Sequence, residues 1–403
     1  TDGRRTRTGR LMQSLAIIGG GLVGASLALA LQEGARERGW RIHLIEPFEP
    51  GHEYQPSYDA RSTALSYGTR LIYQRLGLWD RIAERAEPIL RIHVSERGRF
   101  GAARLDARNE AVEALGYVVE NAWIGHCLWQ ALDDEVVVRH CPAEVERLEP
   151  GTAGYRLSFT DGQRLECALT VLADGGRSSL REQLGIQVAR RPYGQTALIA
   201  NITPGKPHGG LAFERFTEDG PMALLPLQDH RCALVWTRSP ADATRLAQAH
   251  ESVFLAELQD AFGYRLGALQ QVGARHLYPL TLIEAEEQVR SGLVVLGNAA
   301  HSLHPIAGQG YNLSLRDVDA LSATLLRSEA PLGDLALLQE YARRQRFDQR
   351  LTVGFSDQVT RLFGDSGRLV ATGRNLGLLG LDLAPVAKRW FARQAMGLGT
   401  RAG

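Results

Sequence analysis

Lysine is nearly missing from this chain of 403 residues: Lys206 and Lys388 are the only two, and arginine carries the rest of the positive charge. We read that as coding bias more than function. Net charge is missing as well. The 46 basic and 45 acidic residues leave +1 at pH 7, so no global field favours nucleic acid or an anionic membrane. Cysteine is scarce, and Cys127, Cys141, Cys167 and Cys232 lack the short spacing of a metal site or redox pair. A chain this long needs no disulfide staples, so reduced thiols in a cytosol are the simple reading. There is no internal repeat, no low-complexity linker and no Ser-His-Asp constellation. His301 and His304 stand three apart without a carboxylate or cysteine set beside them, which argues against a metal. What remains is an ordinary globular composition, 44% hydrophobic and 23% charged. The length predicts two or three domains. The sequence leaves oligomeric state open, a homo-oligomer included.

One segment imitates a targeting signal. Arg4, Arg5, Arg7 and Arg10 precede twenty uncharged residues, Gln13 to Gln32, ending near Ala28-Leu29-Ala30. The competing reading is a strand, a glycine turn and a helix. Gly19 to Gly21 suit a membrane-inserting helix poorly, and a second strand ending in an acid follows at the right distance. Residues before Met12 then read as a leader outside the fold. No other segment is long and apolar enough to span a bilayer.

On the second reading Leu15–Ile18 is a buried strand, Leu22–Arg38 a helix and Arg41–Glu46 the next strand, a parallel βαβ opening. Gly19-Gly20-Gly21-Leu22-Val23-Gly24 matches G-x-G-x-x-G at the strand-to-helix turn. Gly19 permits the tight turn, Gly21 lets backbone approach a pyrophosphate, and Gly24 lets helix and strand pack closely. The helix start offers free N–H groups and partial positive charge to phosphates. Glu46 ends the second strand 22 residues after Gly24, where a carboxylate accepts both hydroxyls of a ribose; the bland alternative is a solvated strand-end charge. A second turn, Ala173-Asp174-Gly175-Gly176-Arg177-Ser178, follows the strand Thr170–Leu172; Asp-Gly after a strand is also an ordinary turn. A third, Gly297 to Asn312, joins the strand Leu293–Leu296 to a long helix from about Gln309. Such a helix start stabilises negative charge developing on a bound ligand.

Between these segments the pattern changes. Thr196–Ile202, Ala223–Leu227 and Cys232–Thr237 alternate in hydrophobicity, as antiparallel strands do. The predicted architecture is α/β: a Rossmann-like nucleotide-binding domain, residues 12–189 and 289–366, interrupted by an antiparallel-sheet substrate domain, 190–288. A C-terminal helical tail, 367–403, follows. In that tail Pro385 suits a helix start. Val386, Trp390 and Phe391 share one side there, flanked by Lys388, Arg389 and Arg393. Two readings stand for this helix: peripheral contact with a membrane or partner, or packing on its own nucleotide domain.

The three turns in this order resemble the aromatic-hydroxylase class of flavoproteins with the para-hydroxybenzoate hydroxylase fold, over nearly the whole chain. Within it the chain is most similar to the ubiquinone-biosynthesis hydroxylases. The carrying residues are Asp59-Ala60-Arg61-Ser62-Thr63-Ala64-Leu65, Leu76-Gly77-Leu78-Trp79, Val118-Val119-Glu120-Asn121 and Pro305-Ile306-Ala307-Gly308-Gln309-Gly310-Tyr311-Asn312-Leu313. Ala212-Phe213-Glu214-Arg215-Phe216-Thr217 with Gly220-Pro221 resembles the 2-polyprenyl-6-methoxyphenol 4-hydroxylase branch. So does Asn298, where most of the class has Asp; Asn keeps an acceptor for a ribityl hydroxyl but removes the charge.

The resemblance implies roles. Gly19, Gly21 and Gly24 hold the FAD pyrophosphate and Glu46 the adenosine ribose. Arg61 reaches the pyrophosphate, the alternative being a surface ion pair. Asp174, with Arg177 nearby, touches FAD and the path of the nicotinamide cofactor. Asn298 meets the ribityl chain. Gly308, Gly310, Tyr311 and Asn312 frame the flavin ring. Pro305 places a carbonyl near the reacting position, with apolar walls near Phe213 and Leu225. His301 and His304 read as packing and hydrogen-bonding residues beside the flavin, with His304 the candidate base. NAD(P)H reduces the flavin without a second G-x-G-x-x-G, and O2 then gives a flavin C4a-hydroperoxide that hydroxylates a polyprenyl phenol para to its hydroxyl. Pathway partner proteins and a cytoplasmic location, at most peripheral at the inner membrane, are further expectations. The rivals are a sister hydroxylase acting at another ring carbon or on a small phenol, a reductase or halogenase of the same fold, and a non-catalytic FAD-binding scaffold. The W-x-W-x-I-P segment expected of a halogenase is missing.

Overall fold

The strand Ser14–Ile18 has side chains packed on both of its faces, and this sets the layers around it. Leu15 and Ile17 enter one core cluster with Leu27, Leu31, Leu315 and Leu321; Ala16 and Ile18 enter another with Leu148, Leu157 and Phe159. The structure is a computed structural model that describes residues 13–49, 61–96, 102–176, 178–217, 220–303, 309–364 and 396. Its six-stranded sheet runs Val289–Arg290, Leu293–Val295, Leu169–Leu172, Ser14–Ile18, Arg41–Ile45, Val137–His140. The pairings are parallel except at the first edge. The helices Leu22–Arg38, Asn121–Ala131 and Gln309–Arg327 bury their apolar sides in the first cluster. A three-stranded antiparallel sheet, Val145–Pro150, Tyr155–Phe159 and Arg164–Cys167, supplies the second.

The first helix is bounded by glycine at both ends. Gly21 is its extended N-cap, and Gly39 closes it in the left-handed conformation at φ 66°, with Arg36 and Arg38 in the last turn. Glycine takes that conformation without strain, and the arginines meet the negative end of the helix dipole. The nearness of Gly24 to Gly19 is closer still. A Cβ at Gly24 would stand 1.9 Å from the Gly19 carbonyl oxygen, so helix and turn meet backbone to backbone.

The second layer is a nine-stranded sheet built around the long strand Val188–Pro204. The helices Pro240–Gln248 and Glu251–Phe262 cover one face through Leu246, Phe254, Leu258 and Phe262. The expected boundaries need correction here. Arg91–Glu96 and Ala102–Asp106, placed by the sequence reading in the nucleotide domain, extend this sheet, and Arg91–Glu96 pairs in parallel with Leu211–Thr217. Arg91 to Glu96 alternates like any half-buried strand, and its partner lies over a hundred residues on, so no local signal names the sheet it joins. The sheet also takes in Val188 and His301–Ser302. Ser62–Ser66, Gly116–Glu120 and Glu87–Ile89 form a small sheet between the two layers.

Residues 1–12 and nearly all of the C-terminal region 367–403 lie outside the described residues. Met396 is described. It is buried with Ile89, Val118, Ala212 and Ala233, and its carbonyl accepts the Gly68 N–H at 2.8 Å. At that residue the tail packs on its own chain.

Gly24→Ala is expected to lower stability by about 1–3 kcal/mol through overpacking. Urea unfolding measures it; an unchanged midpoint would mean that helix and turn are not in backbone contact.

Candidate functional site

Four parallel strands end side by side, and the three glycine turns leave from three of them. Leu293–Val295, Leu169–Leu172, Ser14–Ile18 and Arg41–Ile45 are successive neighbours. Their exits are stitched to one another: Gly19 N–H donates to Ile45, Ala173 N–H to Ile18 and Leu296 N–H to Leu172. A crevice outside the carboxyl ends of such strands is where open parallel sheets bind ligands. Gly19 sits at φ 105°, and a Cβ there would lie 2.4 Å from the Ala173 oxygen. The first and second turns therefore touch. Gly176 lies against the Asn298 carbonyl, bringing in the third.

Glu46 is buried, 2% exposed. One carboxylate oxygen accepts the Gly20 N–H at 2.8 Å and the other the Phe48 N–H at 3.3 Å. Burial raises its pKa, and the two backbone N–H groups oppose that. It is thus no solvated strand-end charge. Asp174 accepts from the Ser178 hydroxyl through one oxygen at 2.7 Å, while its other oxygen is buried without a partner among the described residues. Burial raises its pKa too. The helix Leu22–Arg38 has no side-chain cap and no acid in its first turn, which leaves its N-terminal N–H groups open to an anion. An uncapped helix start over a glycine turn, a buried carboxylate one strand away and an unpaired carboxylate oxygen opposite fit the phosphates and hydroxyls of a dinucleotide.

Asn298 is exposed in the short turn Gly297–Ala299. Gly310 opens the helix Gln309–Arg327 with none of the described residues within 4 Å of its missing Cβ. The side chains of Tyr311 and Asn312 hold this helix to the rest of the fold. The Tyr311 hydroxyl meets those of Tyr73 and Ser26, and Asn312 accepts from Ser66 N–H and Thr69 and donates to the Ala64 carbonyl. Both are spent joining the helix to its neighbours. Arg61 lies with its guanidinium 4.7 Å over the Tyr278 ring, at the junction with the large sheet. His301 is buried and shares a 2.6 Å hydrogen bond with Asp317, as a packing and hydrogen-bonding residue should. Arg177, His304, Pro305 and Gly308 lie outside the described residues.

Two residues of the site carry no motif. Trp129, in the helix Asn121–Ala131, donates its indole N–H to the Gly20 carbonyl at 2.9 Å. Arg181 is fully buried and donates to the carbonyls of Ala299 at 2.6 Å and Gly176 at 3.2 Å, clamping the second turn to the third. Its position after the Asp-Gly turn was the only hint. The expected wall at Phe213 is also corrected. Its ring meets Phe262 edge-on at 5.1 Å, on the sheet face turned away from the nucleotide half. Leu225 packs on the other face, against the cluster of Ile89 and Val118.

Residues 12–354 match the family described as FAD binding domain. Over 94% of this chain and 89% of its own length, the ubiquinone hydroxylase UbiL of Rhodospirillum rubrum is 36% identical. The 3-demethoxyubiquinol 3-hydroxylase of Escherichia coli is 33% identical over 95% of this chain and 98% of its own. Among solved structures, p-nitrophenol 4-monooxygenase PnpA of Pseudomonas putida superposes with a TM-score of 0.77 at 17% identity, covering 97% of this chain and 99% of that one. At that identity the likeness is one of fold.

Glu46→Gln should weaken FAD retention by about 1–3 kcal/mol, the range of a hydrogen bond to a charged group. Without FAD the sign reverses. A carboxyl whose pKa is raised by burial stabilises the fold below its unfolded pKa and loses that contribution as pH rises through the folded value. FAD-free wild type should therefore lose stability relative to the Gln variant as pH climbs above the carboxylate range. Thermal melts with and without FAD check both; a variant equal to wild type in both would remove Glu46 from the site.

Proposed function

The chain belongs to the FAD binding domain family and is an FAD-dependent monooxygenase; from that premise we propose that it hydroxylates a prenylated methoxyphenol in ubiquinone biosynthesis, para to the ring hydroxyl, with NAD(P)H and O2. The observation that carries the reading is the character of the large sheet on its side toward the nucleotide half. Ile199, Leu225 and Val235 are partly accessible there in the middle of the sheet, an apolar floor for a greasy ring. The names of the Rhodospirillum and Escherichia relatives support a ubiquinone-type substrate.

Bound FAD, once reduced, supplies activated oxygen. The chain's own residues hold and orient. Glu46 takes the ribose hydroxyls, the N–H groups at the start of the helix Leu22–Arg38 take the pyrophosphate, and the free oxygen of Asp174 takes a hydroxyl or amide donor of the cofactor. Trp129 and Arg181 fix the turns that present these groups. The apolar floor excludes water from the reacting ring. Electronics favours the para carbon: the phenol oxygen feeds its ortho and para positions, and both ortho positions of a 2-prenyl-6-methoxyphenol are occupied. The Escherichia relative is named for hydroxylation at carbon 3 of a demethoxyubiquinol, which supports a sister position as the second reading.

Oxygen-18 labelling tests the proposal. With labelled O2, NAD(P)H and the 2-prenyl-6-methoxyphenol, the product should carry one label at the para carbon. Label found at another ring carbon would favour the second reading. Label found in peroxide alone, whatever phenol is offered, would overturn hydroxylation.

A further inference from the structure

The register of the nine-stranded sheet sets one row of side chains across its strands. Ala103 pairs with Val94, Val94 with Glu214, Glu214 with Ala223, Ala223 with Val235 and Val235 with Ile199. Paired residues share a face. Alternation fixes which face it is. Phe213 and Arg215, on either side of Glu214, both turn to the far helices: Phe213 packs on Phe262, and Arg215 donates to the Phe262 carbonyl at 2.7 Å. Glu214 therefore points the other way, as does Ala212, which packs with Ile89 and Val118. That is the face toward the nucleotide half.

Five members of the row are apolar, and Glu214 is its one carboxyl. Glu214, Val235 and Ile199 keep partial accessibility although they stand on inner strands, as residues lining a cleft do. Among the described residues Glu214 has no hydrogen-bond or ion-pair partner. Burial pushes its carboxyl to about 8. Titratable groups toward this face include His276, exposed beyond Ile199, and Tyr278 beneath Arg61 in the adjacent row. The helix Leu335–Gly364, which packs on the strand Gly220–Pro226, carries Asp357, bonded to the Tyr193 hydroxyl. Tyr67 borders the Ala212 cluster. A carboxyl left unpaired in an apolar floor costs stability in the isolated fold, and such costs concentrate where a ligand supplies the missing partner.

We propose that Glu214 is the group that recognises the hydroxyl of the substrate ring and exchanges its proton during hydroxylation. The inference rests on the ring-hydroxylase reading above. As oxygen attacks, the ring O–H bond breaks and its proton passes to a Glu214 carboxylate oxygen. The electron pair left on the ring oxygen feeds the ring while the new carbon–oxygen bond forms, and the O–O bond derived from O2 breaks. NAD(P)H supplies the two electrons that take the second oxygen atom to water. When the attacked carbon releases its hydrogen as a proton, the ring oxygen recovers a proton from Glu214. A carboxyl near 8 is closer in basicity to a phenol than an ordinary carboxylate is, which suits it to both transfers.

The test uses the FAD-loaded full chain and two probes, the 2-prenyl-6-methoxyphenol and its methyl ether. Binding is read from the flavin absorbance without NAD(P)H. Wild type should prefer the phenol by about tenfold or more, the effect of one hydrogen bond to a charged group. E214L should bind both probes alike at unchanged FAD content. In turnover, wild-type kcat/KM should rise with pH to a plateau above about 8, because the accepting form is the carboxylate, and E214Q should lack that limb. A phenol preference retained in E214L, or the limb retained in E214Q, overturns the assignment. Wild type alone gives a check that needs no variant: its phenol preference should change across about pH 8, and a flat preference also overturns it. A wild type that turns over no phenol at all would instead overturn the ring-hydroxylase reading.

Discussion

At the carboxyl end of the parallel sheet three turns come into backbone contact, and the contact is possible because no side chain stands between them. Gly19 abuts Ala173, Gly24 abuts Gly19, and Gly176 faces Asn298. Everything that defines the site hangs on this approach. It aims the start of the helix Leu22–Arg38 across the crevice, sets Asp174 opposite Glu46, and places the exposed Asn298 at the rim. A methyl group at Gly24 would move the helix off its strand and separate the groups that hold the cofactor.

The polar groups around that contact are arranged at a cost. Glu46 is buried and Asp174 half-buried, and Asp174 keeps one oxygen without a partner among the described residues. Arg181 is buried beside them and is satisfied largely by backbone carbonyls. Such groups favour a fold with a ligand over the same fold without one. Glu214 extends the pattern to the second layer. It is a carboxyl with no partner among the described residues, set in a row of alanine, valine and isoleucine facing the nucleotide half. The two layers thus each present unpaired acid toward the space between them, one for the cofactor and one, in our proposal, for the ring.

Much of this was legible in the sequence because the signals are local. The βαβ opening, the helix Leu22–Arg38 and the start at Gln309 follow from glycine punctuation and apolar period, and the structure draws them where they were expected. What escaped depends on partners far along the chain. The strands Arg91–Glu96 and Ala102–Asp106 join a sheet whose next member begins at Leu211. Trp129 serves Gly20, and Arg181 serves Ala299, each over more than a hundred residues. Phe213 was placed on the wrong face because period-two alternation says that neighbours oppose one another, not which of them looks inward. Tyr311 and Asn312 lie in a motif-bearing stretch, yet their side chains serve helix packing, a distinction that residue type alone does not make.

The central claim is that three turns distant in sequence act as one FAD site. Amide hydrogen exchange of the FAD-free and FAD-loaded chain, followed by mass spectrometry, tests it most directly. Peptides spanning Gly19–Gly24, Glu46, Asp174–Gly176 and Gly297–Ala300 should slow together on loading, while the helices Pro240–Gln248 and Glu251–Phe262 behind the large sheet stay unchanged. Protection confined to a single turn, or centred on those far helices, would contradict the account.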